Sequence, residues 1–212
     1  MKIQILSDNP KSWFIKYINV LVESIKNMNH DVIFVMDFNK ITKGDLVFIL
    51  SCDKIIPEKV LKLNKHNLVI HASDVPKGKG WSPMTWQVLD GKDMIPISLF
   101  EASPEVDSGD VYMKDYIKLD GTELIDESRN ILGNKVCNMV MDFLELYPNI
   151  KGKKQQGDAS FTRKRKPEDS ELDINKTIKE QFNLLRVVDN KNYPAFFIYK
   201  DNKYILSIKK GK

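Results

Sequence analysis

A histidine that ends an apolar run, and two carboxylates around a glycine, are the residues of this chain best suited to proton chemistry. Leu68-Val69-Ile70 delivers His71 where hydrophobicity stops and a loop rich in proline, glycine and lysine begins. Imidazole exchanges a proton closer to neutral pH than other unperturbed side chains, and becomes an acid–base group once a neighbour fixes its tautomer. Asp107-Ser108-Gly109-Asp110 supplies two carboxylates in a turn-type sequence. Alone, that spacing marks a turn. Beside His71, one carboxylate would hold the ring while the turn shapes a pocket. Trp81, set between Gly80 and Ser82, is an indole in a loop and suits a flat ligand. Lys77 and Lys79 offer charge for a phosphate or carboxylate. His30, His66 and Trp86 read as surface or core residues.

These groups need elements to position them. Ile3 to Leu6 predicts an opening strand, Trp13 to Met28 a helix with Trp13, Tyr17, Val20, Leu21 and Ile25 on its apolar face. Strands follow at Val32 to Met36, Leu46 to Leu50 and Asn67 to His71, with a short helix from Pro57 to Leu63 between the last two. Near-continuous apolar strands alternating with helices predict a parallel sheet covered on both faces, with His71 at its carboxyl edge, where open α/β folds keep ligands. Pro83 to Leu89 predicts a helix, and Ile95 to Ala102 with Val111 to Lys118 two extended segments, the second with an imperfect alternation that allows a bulge. The longest helix opens at Gly121-Thr122 and stops at Pro148, with Leu132, Val136, Met139, Val140, Phe143 and Tyr147 as its stripe. A Rossmann-like α/β core over residues 1–150 is the expectation. Residues 151–212 should be an exposed connector followed by a small subdomain: a helix from Lys176 to Leu185 capped by Asn175, and a hairpin turning across Asp201-Asn202.

A chain of 212 residues, 42% hydrophobic and 29% charged, has the make-up of a soluble globular protein. Its net charge of +4 includes only four arginines, Arg129, Arg163, Arg165 and Arg186. Nucleic-acid recognition leans on arginine forks and basic stripes; here lysines alternate with acids, so no nucleic-acid partner is expected. Cys52 and Cys137 lie far apart without metal spacing, which favours two reduced thiols and no metal. No apolar run approaches the roughly 20 residues of a spanning helix, and the start MKIQILSD reads as a strand rather than a secretory leader. A cytoplasmic location without membrane contact is expected; oligomeric state is left open.

His71, Ser73-Asp74-Val75-Pro76, Lys79-Gly80 and Asp107-Ser108-Gly109-Asp110 resemble, in order and separation, the motifs of the 10-formyltetrahydrofolate-dependent formyltransferases. The Arg186 and Tyr193-Pro194-Ala195 segment is similar to the part that follows the core in the methionyl-tRNA and sugar branches. HASDVPKGKGWSP looks closest to sugar N-formyltransferases of the pseudaminic-acid type and to the formylation domain of linear gramicidin synthetase. The resemblance implies formyl transfer from 10-formyltetrahydrofolate, which leaves as tetrahydrofolate, to the primary amine of a nucleotide-linked 4-amino-4,6-dideoxy sugar for surface glycans. It implies His71 and Asp107 as catalytic residues, and Ser73, Asp74, Val75, Pro76, Gly109 and Asp110 around the pterin. Lys77, Lys79 and Trp81 would then meet the substrate. The family asparagine two residues before the histidine is Val69 here. Asn67, on the same strand face but about 7 Å further back than Val69, either reaches the site through an irregularity or is replaced by another donor.

Three other readings compete. A methionyl-tRNA formyltransferase would be expected to carry a further β-barrel beyond Lys212. A glycinamide ribonucleotide formyltransferase would have a glycine-rich loop where this chain has Ser7-Asp8-Asn9-Pro10-Lys11. A non-catalytic nucleotide-binding module would leave His71 and Asp107 as coincidence, though no GxGxxG follows the first strand.

Overall fold

A computed structural model describes residues 1–211. In chain order the elements are β1 (Lys2–Leu6), α1 (Ile15–Asn27), β2 (Asp31–Val35), β3 (Gly44–Ile49), α2 (Glu58–Leu61), β4 (Asn64–His71) and a two-residue β5 (Lys79–Gly80). Then come α3 (Pro83–Leu89), β6 (Met94–Glu101), β7 (Val111–Lys118), α4 (Ile125–Leu146), a two-residue β8 (Phe161–Thr162), α5 (Phe182–Val187), β9 (Ala195–Tyr199) and β10 (Asn202–Leu206). Six strands form one sheet in the order β2-β1-β3-β4-β6-β7. The first four are parallel; β6 and β7 run antiparallel along one edge. The α/β fold with a mostly parallel sheet is as the sequence predicts.

The strand period of two divides each apolar run between two faces. Ile3, Ile5, Leu46, Phe48 and Leu68 pack toward α1 and α4, while Leu6, Val47 and Ile49 pack with Val60 and Leu61 of α2. Phe48 meets Phe143 of α4 edge-on at 6.0 Å. Full burial of each such side chain contributes about 1.5–3 kcal/mol. In α1 the buried arc is Tyr17, Ile18, Leu21 and Ile25; Val20 faces solvent rather than the core. Tyr112 is the extra residue where β7 slips against Leu99 and Phe100 of β6, so the irregular alternation is a bulge.

The C-terminal part departs from its expectation at three places. The helix is α5, later and shorter than Lys176 to Leu185. Upstream of it the Glu180 carboxylate accepts from the Thr177 N–H at 2.8 Å and hydroxyl at 2.7 Å, while the Gln181 amide binds the Asp173 carbonyl. Such local side-chain bonds compete with a helix. The hairpin pairs Tyr199 with Asn202, so its turn is Lys200-Asp201, both left-handed at φ 47° and 60°, one residue earlier than expected. Most consequential is the connector, which returns to the core. Lys153 exchanges two backbone hydrogen bonds with Val111, at 2.8 and 2.9 Å, and β8 pairs in parallel with β5.

Candidate active site

The chain leaves β1 on one side toward β2 and returns on the other to β3, so the carboxyl ends of β1 and β3 flank a switch point. The Ser7 hydroxyl donates to the Ser51 carbonyl at 3.3 Å there, and the Ser12 and Ser51 hydroxyls meet at 2.8 Å. From this point a cleft of about 510 Å³ runs past the end of β4. Val69, His71, Phe100 and Asp107 line one part of it, Trp13 and Arg129 another, and Trp81 sits at its margin.

His71 is held by two loops. Its Nε2 lies 3.0 Å from the Gly78 carbonyl, so the neutral ring donates there and Nδ1 is the bare nitrogen. The same Nε2 is 3.7 Å from Asp107 Oδ2, too long for a hydrogen bond but close enough to stabilise an imidazolium. The two side chains are only 12% and 14% exposed, which strengthens that attraction over its value in water. Asp107 Oδ2 accepts from the Gly80 N–H at 2.9 Å. Asp107 itself is left-handed, φ 50°, a conformation aspartate tolerates better than most residues.

Two glycines make this approach feasible. A Cβ on Gly109 would sit 1.8 Å from the Glu101 carbonyl oxygen, and one on Gly80, where φ is 97°, 2.5 Å from the Thr162 carbonyl oxygen. The glycine of the DSGD turn therefore seats the turn against β6, leaving Asp107 to aim its carboxylate inward.

The strap of residues 151–163 fastens both loops. Gln155 Nε2 donates to the Asp107 carbonyl at 2.8 Å and the Gly109 carbonyl at 2.9 Å. The Ser160 hydroxyl accepts from the Gly78 N–H at 2.9 Å, the Ser160 carbonyl from the Lys79 N–H at 2.9 Å, and the Thr162 carbonyl from the Trp81 N–H at 3.0 Å.

His71, Asp107 and Trp81 are thus brought to one cleft; other expected residues are not. Asn67 is buried, and its Nδ2 donates to the Leu61 carbonyl at 2.8 Å under α2. Four residues before His71, it stands about 13 Å back along the strand. Val69 occupies the nearer position and lines the cleft, so no asparagine or glutamine side chain faces His71 from that wall. Ser73, Val75 and Pro76 turn inward instead of lining the cleft: Val75 packs with Phe100 and Val111, and the Ser73 carbonyl accepts from the Ser98 hydroxyl at 2.7 Å. Asp74 is exposed and pairs with Lys114. Lys77 is exposed, Lys79 is largely buried, and neither lines the cleft. Gly109 and Asp110 stand behind Asp107, the Asp110 carbonyl taking the Glu101 N–H at 2.9 Å.

The 51–56 loop, Trp13 and Arg129 escaped the sequence reading. For the loop a signal existed: it follows a buried strand next to the switch point. Cys52 lies in this wall, half-buried, its thiol donating to the Leu6 carbonyl at 3.3 Å. Burial, with the nearby Asp8 charge, pushes the thiol up to about 12. It is no nucleophile at neutral pH. Arg129 donates to Asp189 at 2.9 Å. Burial raises the Asp189 carboxyl, but hydrogen bonds from the Lys191 N–H, Arg129 and Asn192 more than offset this and leave it at about 2. Among the described residues no three His, Cys, Asp or Glu side chains converge as a metal site, and no helix is long and apolar enough to cross a membrane.

Residues 35–137 match the family model described as Formyl transferase. A methionyl-tRNA formyltransferase of Fusobacterium nucleatum is 24% identical over 172 residues, 79% of this chain and 51% of its own length. The chain thus spans about half the length of that curated relative. A likely sugar N-formyltransferase from Mycobacterium tuberculosis shares the fold with a TM-score of 0.77 at 16% identity, covering 100% of this chain and 99% of its own. HypX from Aquifex aeolicus, solved in complex with tetrahydrofolic acid, superposes with a TM-score of 0.80 at 20% identity over 97% of this chain and 37% of its own. The likeness of these two is one of fold. The part of this chain that carries His71 and Asp107, residues 35–137, is thus similar to the formyl transferase family.

Proposed function

We propose that the chain is an N-formyltransferase, moving a formyl group from 10-formyltetrahydrofolate to the primary amine of an amino sugar. A nucleotide-linked 4-amino-4,6-dideoxy sugar, used in surface glycans, is the acceptor this reading favours. The observation that carries it is the largely buried His71–Asp107 pair, 3.7 Å apart, in a cleft of a core similar to the formyl transferase family.

The cleft fits such a donor. At about 510 Å³ it lies within the rough 300–1,000 Å³ range of small-molecule sites. Trp13 and Trp81 give the lining an aromatic character that suits a flat heterocycle, and Val69 and Phe100 an apolar wall. Lys54 at the lining gives positive charge for a diphosphate, and Lys164, 4.4 Å from the Trp81 ring centroid, adds to it while paired with Asp53 at 3.8 Å.

Bound 10-formyltetrahydrofolate supplies an activated formyl group. His71 accepts at Nδ1 the proton that the amine sheds as its nitrogen bonds to the formyl carbon. Asp107 stabilises the resulting imidazolium across 3.7 Å. The same ring then delivers the proton to the departing folate nitrogen as its bond to the formyl carbon breaks. General acid–base transfer of this kind contributes about 10²–10⁴ in rate.

The test is mass spectrometry of a panel of amino-sugar nucleotides incubated with the protein and 10-formyltetrahydrofolate. One member should gain a single formyl group, and His71→Ala should abolish the gain. No product with any sugar amine, but formylation of methionyl-tRNA, would replace the sugar with that acceptor. Nucleotide binding without any product would sink the catalytic reading.

A further inference from the structure

The geometry points to Gln155 as a positioning residue: its side-chain amide holds the Asp107 turn so that the carboxylate faces His71. Resting on the proposed formyl transfer for its rate consequence, this assigns a role to a segment whose composition marks it as a linker.

Gln155 Nε2 donates two hydrogen bonds, at 2.8 Å to the carbonyl of Asp107 and at 2.9 Å to that of Gly109. The amide therefore brackets Ser108 and ties both arms of the turn to one planar group. Its Oε1 is buried without a hydrogen-bond partner among the described residues. A buried acceptor left unpaired costs about 1–3 kcal/mol. The side chain holds its place with one of its polar ends unmet, and the other serves only the turn.

What that turn must do explains the need. Asp107 is left-handed at φ 50°, off the main basin for a residue with a Cβ. Its neighbour Ser108 makes only local bonds, to the Glu105 carbonyl and the Ser103 hydroxyl. A carboxylate on such a turn is set by the direction of its backbone, which the Gln155 amide fixes through the carbonyl. From there the arrangement continues through Asp107 Oδ2 to the Gly80 N–H at 2.9 Å and to His71 Nε2 at 3.7 Å. Gln155 touches neither ring nor cleft and acts through Asp107.

The Gly80 N–H reports this directly, because its acceptor is the Asp107 carboxylate. Its neighbours report the strap, since the Lys79 and Trp81 N–H groups bind the Ser160 and Thr162 carbonyls. Site-resolved amide exchange on the full chain, wild type against Gln155→Leu, separates the two. Gly80 should exchange at least about tenfold faster in the variant, with Lys79 and Trp81 as protected as before. In the transfer assay kcat should fall roughly ten- to a hundredfold, with KM for donor and amine unchanged. An unchanged Gly80 amide overturns the proposal. So does joint opening of Lys79, Gly80 and Trp81, which would make Gln155 a general anchor of the strap. Should Gln155→Leu fail to fold, Gln155→Glu keeps the size, turns the donor into an acceptor, and is read by the same three amides. If the wild type transfers no formyl group to any amine, the proposed function fails, while amide exchange still decides the placement of Asp107.

Discussion

Strand β4 carries a histidine paired with a carboxylate near each of its ends, and only one of the two pairs lines the cleft. At the amino end His66 Nδ1 lies 3.0 Å from Glu101 Oε2; at the carboxyl end His71 Nε2 lies 3.7 Å from Asp107 Oδ2. The odd separation of the histidines sends them to opposite faces of the sheet. His66 meets Tyr112 and Tyr147 edge-on at 5.9 and 5.6 Å. Glu101 is already engaged by the Asn67 N–H at 2.5 Å and the Tyr112 hydroxyl at 3.0 Å. Burial, then the Glu101 charge, pushes the Tyr112 phenol well above its ordinary value, so it remains a donor. That pair is a hydrogen-bonded structural knot, 32% and 24% exposed but away from the cleft. The other lines a cleft. Proximity of imidazole to carboxylate is common to both; a place in the cleft, and a carboxylate not already shared with a tyrosine, distinguish the one suited to chemistry.

Exchanging the histidines one at a time should give the largest contrast. His71→Ala is expected to lower kcat by about 10²–10⁴ while leaving the melting temperature close to wild type. His66→Ala should leave the rate within about twofold and destabilise the fold by roughly 1–3 kcal/mol. Steady-state formyl transfer beside thermal unfolding checks both; comparable rate losses would dissolve the distinction between the two ends.

The carboxylates should divide in the same way, less steeply. Asp107→Asn keeps the shape but removes the charge facing the imidazolium, and about a ten- to hundredfold loss in kcat is expected. Glu101→Gln should appear in stability alone, because an amide cannot serve the Asn67 N–H, Tyr112 hydroxyl and His66 ring together. Val69→Asn sharpens the carboxyl-end argument from the other side. An amide on the wall beside His71 gives the developing oxyanion a donor, so kcat should rise up to roughly tenfold. A fall would mean that Val69 serves by packing against the bound ligand.

How legible these ends were in the sequence follows from what each signal reports. His71 and Asp107 stood out because a strand end and a turn are punctuated by hydrophobicity and glycine. The 73–76 loop was placed around the pterin by resemblance and not by its own residues, and Val75 and Pro76 turn back into the core. Residues 151–163 read as a solvated linker since composition reports side-chain burial. Their attachment is through backbone pairing and the polar side chains of Gln155, Ser160 and Thr162, none of which leaves a hydrophobic trace. Asn67 satisfied the strand period but not the distance. Its amide was already committed to α2, which only the fold could reveal.

Acid should separate the C-terminal attachment from the cleft. The Asp189 carboxyl sits at about 2 against an ordinary 3.8, and Asp169, bonded to Arg163, is also held at about 2. A carboxylate depressed in the folded state stabilises it fully above the unfolded pKa and loses that contribution as pH falls toward the folded value. The contribution of these two carboxylates should therefore be constant above about pH 5 and decline toward pH 2. The largely buried Asp189 accounts for roughly 2 kcal/mol of it. Urea unfolding across that range, repeated in Asp189→Asn, should show the slope diminish in the variant; an unchanged slope would remove Asp189 from the acid response.

The smallest effect concerns a residue within the cleft that should do nothing. Cys52 lines the same cavity as His71, yet its thiol is held at about 12 by burial and by the Asp8 charge. At pH 8 only about one part in 10⁴ is thiolate, against roughly a quarter of an unperturbed cysteine. Iodoacetamide should therefore label Cys52 at least about a hundredfold more slowly than a free thiol, and brief treatment should leave formyl transfer intact. Cys137, pushed up to about 11 by burial alone, should be comparably slow. Intact-mass analysis with peptide mapping reads both sites. Rapid labelling of Cys52 with loss of activity would place a second reactive group beside the imidazole, and the assignment of proton transfer to His71 alone would no longer stand.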